Sequence, residues 1–462
     1  MNPGATLIRA GYVLTSATPA VIADGAVVIR DDLIVDLGPY RDVIERWPEA
    51  ASVADPYGIL IPGFVNTHGH FSEALTTGVG DGLSLWEWIA RVVRPVGPHL
   101  TREMARVGTI LRGAEMMLSG ITTVNDMFVC SPGGGEVTAG VVEGLNALGL
   151  RGDVSFGAQD LFGDWDDRAV IDEHRGLAEA TRDSPLVRFR VGVTSVVALS
   201  DRLIDASADL TDELGASVHA HFHEIREEVT EARLRFGRSA LEEAAERGLL
   251  ERNALAAHCV WLSDADFTVL ADRKVGVAHN PVANMILGSG VCPVGRLTRA
   301  GIAVGLGVDG PASNDAQNMT EALKTAALLQ RVHHLDPSVI DAPTAFRMAT
   351  LGGAEALGLA PSIGSIEIGK QADLVLVSGE AIATTAIHDP LQTVVYCLSG
   401  EEVREVWVSG RHVVRGRKLP GVDLGAIRAA ARALAGELAQ RSGLASRLVQ
   451  PADSTEGGAS DG

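Results

Sequence analysis

Eight short apolar runs recur through the middle of the chain: GILIPGFVNTHGH, GITTVNDMF, LRGDVSF, VRFRVGVTS, GASVHAHFHE, NALAAHCV, VGVAHNP and IAVGLGVDG. Between several of them lie segments with the spacing of amphipathic helices, such as TREMARVGTILRGAEMMLS at 101–119 and SALEEAAERGLL at 239–250. Near-continuous apolar strands alternating with helices are buried on both faces, which marks a parallel sheet. Eight such strands over about 300 residues predict an α/β fold, a (β/α)8 TIM barrel. A doubly wound open sheet alternates in the same way, but no Gly-x-Gly-x-x-Gly follows a first strand, so a dinucleotide fold has no support.

The ends of the chain read differently. ATLIRAGYVLT and GAVVIRDDLIVDLG alternate apolar and polar residues as short antiparallel strands do, and ADLVLVS (372–378) and REVWVSGRHVVRGRKL (404–419) return to that pattern. Ser409-Gly410 falls between two alternating runs and suits a hairpin turn. The expected organisation is a small β-sandwich domain formed from both termini, residues 1–60 and 370–420, around a metal-dependent catalytic barrel at 61–369. Residues 421–462 then hold one helix, GAIRAAARALAGELAQR, and a polar tail, PADSTEGGASDG, expected to be disordered.

Bulk properties narrow the function. A 462-residue chain with 46% hydrophobic residues is long and apolar enough for a well-filled enzyme. Its net charge of −20 argues against nucleic acid, which rewards clustered Lys and Arg. Cys130, Cys259, Cys292 and Cys397 form no Cys-x-x-Cys pair, so a disulfide framework is not expected and a reducing, cytoplasmic setting is. No apolar run reaches the ~18 residues of a membrane span. The N-terminus has no long apolar stretch and carries Arg9 inside its first apolar patch, so no signal peptide is read.

In a barrel, chemistry gathers at the C-terminal ends of the strands. There strand 1 carries His68 and His70, strand 5 carries His219, His221, His223 and Glu224, strand 6 His258, strand 7 His279 and strand 8 Asp309. Side chains two apart on a strand share a face, so His68 and His70 can both point into the barrel mouth. His219, His221 and His223 share parity too, and spacing does not choose a ligand among them. Glu224 has the opposite parity and faces the same site only if the chain leaves strand geometry there. One His-x-His on a strand is more often a structural, hydrogen-bonded pair. Ligand-type residues at the rims of four or five strands instead suit a divalent metal, zinc first and iron second. Such a metal would make hydroxide available near neutral pH, with a carboxylate nearby to shuttle protons.

The chain resembles the amidohydrolase superfamily, in the branch of methylthioadenosine/S-adenosylhomocysteine deaminases, guanine-type deaminases and triazine hydrolases. The resemblance runs over residues 5–420 and rests on PGFVNTHGH, GITTVNDM, VHAHFHEIREEV, AAHCVWL, AHNPVANMILGSG, GLGVDGPASND and GSIEIGKQADLVLV together. It implies His68, His70, His221 and Asp309 as metal ligands, because the family's strand-5 ligand stands three residues before its catalytic glutamate, here Glu224. It implies His258 as the group that polarises substrate or activated water, His219 and His223 as structural, and His279 as a group that hydrogen-bonds at the rim or behind the metal ligands. Relatives with two metals use a strand-4 lysine that VRFRVGVTSVV lacks, so the resemblance implies one divalent ion, Zn2+ with Fe2+ as second choice.

Two features bear on the substrate. Thr194 stands where methylthioadenosine-type deaminases tend to carry histidine, which weakens that nucleoside reading, and Asp309-Gly310 keeps the deaminase-like form. LSLWEWIARVVRP matches the family's lid, with Trp88 placed to stack on a flat ring and Trp86 a weaker candidate. The function so implied is hydrolytic removal of an exocyclic amine from a nitrogen heterocycle, with Glu224, His258 and Asp309 catalytic and Trp88 and Thr194 contacting substrate. Displacement of chloride or alkylamine from a triazine-like ring, and cyclic-amide hydrolysis, are the alternatives. The expected partners are a small heterocyclic molecule and other copies of the chain, as a dimer or larger.

Overall fold

The computed structural model describes residues 4–18, 20–162 and 165–444. Eight strands form one sheet with neighbours parallel throughout: Phe64–Gly69, Ile121–Phe128, Arg151–Phe156, Val187–Ser195, Ser217–Phe222, Leu255–His258, Gly276–His279 and Val304–Leu306. They are called barrel strands 1 to 8. The last returns to the first: Gly69 pairs with Asp309, the Asp309 N–H donates to the His68 carbonyl at 3.0 Å, and Asn66 Oδ1 accepts from Val308 N at 3.0 Å. The eight apolar runs of the sequence are thus the eight staves of a barrel, and the closing seam passes through the residues expected to do chemistry.

One run is divided between two sheets. GILIP completes the strand Ala51–Pro62, which belongs to a second sheet, and the barrel begins only at Phe64. Gly63 makes the change of direction. A Cβ there would stand 2.0 Å from Thr122 Oγ1, so no larger residue fits.

The second sheet has seven strands and joins the two ends of the chain. Ala5–Leu14, Val21–Arg30, Leu33–Pro39 and Ala51–Pro62 come from the N-terminal side, and Leu374–Val377, Val403–Val408 and Arg411–Val414 from the C-terminal side. They meet where Ala51–Pro62 pairs antiparallel with Leu374–Val377. Ala5–Leu14 pairs parallel with Ala51–Pro62, so the sheet is mixed where alternation alone suggested antiparallel strands; alternation reports burial, not direction. Ser409 and Gly410 both take positive φ, 47° and 72°, as a two-residue hairpin turn of the primed type requires.

The helix at Arg102–Leu118 starts where Thr101 caps it, accepting from the Met104 N–H, and buries Met104, Val107, Ile110, Ala114 and Met117 at helical spacing. The C-terminal helix Leu424–Arg441 packs against it. The segment PADSTEGGASDG lies outside the described residues. Among the described residues no helix is long and apolar enough to cross a membrane.

Near the opposite ends of the strands, Asp153 and Arg190 form a buried ion pair at 2.8 Å. Arg190 also donates to the carbonyls of Asn253 and Leu357, and Arg188 grips the same aspartate through two bonds of 2.8 Å. Burial works to raise the Asp153 pKa, but Arg190 and Arg188 outweigh it and hold it below the ordinary value. A depressed folded pKa contributes stability above the unfolded value, about 3.9, that is lost as pH falls through the folded one. Arg190→Met leaves the carboxylate buried with a weakened set of partners, and urea unfolding at pH 7 should show a loss of roughly 3–5 kcal/mol. That loss should be nearly constant from about pH 6 to 8, above the titration of Asp153.

Candidate active site

The chemistry of the barrel mouth follows from where its histidine protons go. His70 Nδ1 lies 2.7 Å from the Met127 carbonyl and His221 Nδ1 lies 2.7 Å from the Thr194 carbonyl, so both nitrogens carry the proton and donate. For His68 the assignment runs through a chain. Ser155 donates its hydroxyl proton to the Asp126 carbonyl at 2.8 Å, so its oxygen accepts from His219 Nδ1 at 3.0 Å. His219 Nε2 is then the acceptor for His68 Nδ1, 2.8 Å away.

All three Nε2 atoms are left with their lone pairs, and they converge. His70 Nε2 and His221 Nε2 are 3.2 Å apart, and Asp309 Oδ1 is 3.2 Å from His68 Nε2 and 3.3 Å from His70 Nε2. His68 Nε2 is buried, and among the described residues it has no hydrogen-bond partner besides this contact with Asp309. Four acceptors facing one point repel each other unless a cation lies among them. Among the described residues, the two clusters with metal-ligand spacing, His68–His70–His221 and His68–His258–Asp309, share His68 and so describe one centre. Three imidazoles with one carboxylate are a donor set suited to a divalent transition metal.

A proton competes for the same place. Burial works to lower the His70 pKa, but the hydrogen bond to Asp309 and the fields of Glu73 and Asp309 outweigh it and push it up to about 10. His68 is pushed down to about 4, chiefly by burial. Burial works to raise Asp309, yet its contacts with His68, His70 and His258 hold it well below the usual carboxylate range.

Local backbone geometry brings the remaining groups in. The strand geometry of barrel strand 5 ends at His223, whose φ is +54°. That break turns Glu224 toward the mouth despite its parity and carries His223 outward, 3.6 Å from Asp266. His258 and Asp309 also hold left-handed backbone, φ +70° and +58°. Such strain persists only where the surroundings enforce it, and here it re-aims side chains at strand ends.

Glu224 Oε2 lies 3.6 Å from His258 Nε2, which is 3.9 Å from Asp309 Oδ2. Asn284 Oδ1 holds His258 Nδ1 at 2.8 Å, and Ser289 donates to Glu224 Oε1 at 2.9 Å. Burial raises the Glu224 pKa above its ordinary value. Glu228, one helical turn on, accepts from the Glu224 N–H at 3.0 Å and from Ser195 at 2.6 Å, and burial pushes it up to about 7. Burial likewise pushes Glu73 up to about 7, against the pull of His70.

These groups open into a cavity lined also by the segment that carries Trp86 and Trp88. Trp88 donates its indole N–H to the Ala312 carbonyl at 3.1 Å, so what it offers the cavity is its ring. Thr194 also lines the cavity, but its hydroxyl donates to the Ala158 carbonyl at 2.9 Å and its own carbonyl orients His221. His279 is buried, and among the described residues neither of its ring nitrogens has a hydrogen-bond partner. Sequence reasoning set His219 aside as structural and did not single out Glu73, Glu228, Asn284 or Ser289. His219 shares strand parity with His221, and Glu73 stands three residues after His70; both signals were present but carried no chemistry until the contacts were known.

The family model for the amidohydrolase family matches residues 59–413, and one for an imidazolonepropionase-like composite domain of bacteria matches residues 25–50. A 5-methylthioadenosine/S-adenosylhomocysteine deaminase of Desulforudis audaxviator is 37% identical over 432 residues, covering 90% of this chain and 95% of that protein. A 5'-deoxyadenosine deaminase of Methanothermobacter thermautotrophicus is 36% identical over 426 residues, covering 90% and 95%. Among solved structures, a zinc-bound adenosine deaminase from Xanthomonas campestris superposes with a TM-score of 0.87 at 34% identity, covering 94% of this chain and 98% of that one. A zinc-complexed atrazine chlorohydrolase from Arthrobacter aurescens reaches a TM-score of 0.86, covering 93% of this chain and 100% of that one; its 24% identity speaks to fold alone. The long family match and these near full-length relatives together establish that the chain belongs to the amidohydrolase family.

Proposed function

We propose that this protein is a hydrolytic deaminase that removes an exocyclic amine from a nitrogen heterocycle, with His68, His70, His221 and Asp309 holding one divalent metal ion. The observation that carries the reading is the convergence of three imidazole lone pairs and a carboxylate oxygen at the floor of the cavity. Likeness to the zinc-bound adenosine deaminase favours zinc, and the relatives' names favour amino-purine nucleosides as the first substrates to try.

The metal, when bound, supplies a Lewis acid that lowers the pKa of water toward neutrality. The protein groups do the rest. Asp309, kept ionised by its histidine neighbours, is placed to accept a proton. Glu224 is kept protonated more readily than an exposed glutamate, and its carboxyl oxygen faces the cavity beside His258. A proton delivered from Glu224 to the ring nitrogen beside the amine makes the attacked carbon electrophilic. His258, its Nδ1 fixed by Asn284, presents Nε2 between Glu224 and Asp309 and steadies charge that develops there. The rings of Trp88 and Trp86 line the cavity and offer a flat heterocycle a face to stack on.

Glu224→Gln should keep its metal and lose roughly 10²–10⁴-fold in kcat for ammonia release from the best purine substrate. Near-wild-type turnover by metal-replete Glu224→Gln would contradict the scheme. His219→Ala removes the acceptor that fixes the His68 tautomer, so a competition titration against a chelator should show zinc affinity roughly 10–100-fold weaker. An affinity unchanged from wild type would return His219 to a purely structural role.

A further inference from the structure

Glu73 is a buried carboxylate that the proposed chemistry does not use. It follows barrel strand 1 in a short turn, Phe71–Glu73, and is 7% exposed. Its Oε2 is committed to the loop after barrel strand 8, accepting from the Ala312 N–H at 3.0 Å with Ser313 Oγ at 3.4 Å. A Cβ on Gly310 would fall 1.8 Å from that same oxygen, so the glycine after Asp309 makes the room Glu73 occupies. The other oxygen, Oε1, has no hydrogen-bond or ion-pair partner among the described residues, yet it is not sealed off like the enclosed unpartnered atoms. Glu73 lines the cavity, and Oε1 is the part of it left to face inward.

Glu224 follows barrel strand 5 and Glu73 follows barrel strand 1, and both line the cavity. The Trp88 indole is anchored to Ala312, the residue whose N–H holds Glu73, so the stacking face and the free carboxylate oxygen belong to one rigid unit.

We propose that Glu73 is a substrate-contacting, specificity-determining residue whose free oxygen accepts a hydrogen bond from a second donor on the heterocycle. This deepens the deaminase reading and rests on it. The substrate class is then a ring that carries a second amino or N–H group besides the departing amine, such as a diamino-purine rather than a purine with a single amine. A buried acceptor oxygen is left unpartnered when that donor is missing, which is how such sites discriminate.

The test compares 2-aminoadenosine with adenosine on metal-replete wild type and Glu73→Gln. Ammonia release is measured for each, with calorimetric dissociation constants on the same proteins in a Glu224→Gln background. Wild type should favour the diamino ring by about tenfold or more in kcat/KM and in affinity. In Glu73→Gln the amide oxygen can keep the Ala312 N–H while its nitrogen faces the cavity, so the preference should vanish or invert at an unchanged unfolding midpoint. An unchanged preference in Glu73→Gln overturns the inference. So does binding of neither ring, or a Glu73-dependent preference that follows the sugar, read by adenine against adenosine. If neither nucleoside yields ammonia but the affinity preference depends on Glu73, the inference stands and the deaminase reading falls.

Discussion

The arrangement on which the rest depends is a set of lone pairs with nowhere to go. Each of three imidazoles spends its one proton on a carbonyl or on a neighbouring imidazole; the bare nitrogens of His68 and His70 face one carboxylate oxygen, and that of His221 faces His70. A positive charge removes the repulsion, and the fold is built so that this charge sits at the barrel seam. Gly69 and Asp309 pair across the closing strands, so the contact that closes the sheet also fixes the carboxylate against His68 and His70. A loosened seam would degrade the centre before it unfolded the barrel.

The two ends of the strands use charge in different ways. At the far end, Asp153 is held ionised by two arginines and serves rigidity. At the mouth, Asp309 is held ionised by histidines, while Glu224, Glu228 and Glu73 are pushed upward by burial. Carboxylates with separated proton affinities in one cavity are what acid–base chemistry near neutral pH requires. The left-handed backbone at His223, His258 and Asp309 is the local cost of aiming these side chains from strands whose own geometry points elsewhere.

Much of this was legible in the sequence. Burial on both faces writes a strand as an apolar run, so the barrel strands could be counted, and parity placed His68 and His70 on one face. Parity could not bring Glu224 to the mouth; the break at His223 does that, and a single strained dihedral leaves no mark in hydrophobic pattern. The run GILIPGFVNTHGH read as one strand because both its sheets are buried, and only the close approach of Gly63 to Thr122 divides it. Glu73 and His219 act through partners far away in sequence, 239 residues from Glu73 to Ala312 and 151 from His68 to His219, so their local spacing alone assigns them no chemistry. Thr194 was legible as a cavity residue, but its carbonyl orients His221 and its hydroxyl is turned to Ala158.

The most direct test of the account is X-ray absorption at the metal edge of the zinc-loaded protein, with the bound metal counted on the same sample. One equivalent per chain is expected, with imidazole scattering and nitrogen distances of about 2.0–2.1 Å. His221→Ala should reduce the imidazole contribution by one ring. A spectrum without imidazole ligands, or one that His221→Ala leaves unchanged, would contradict the central claim.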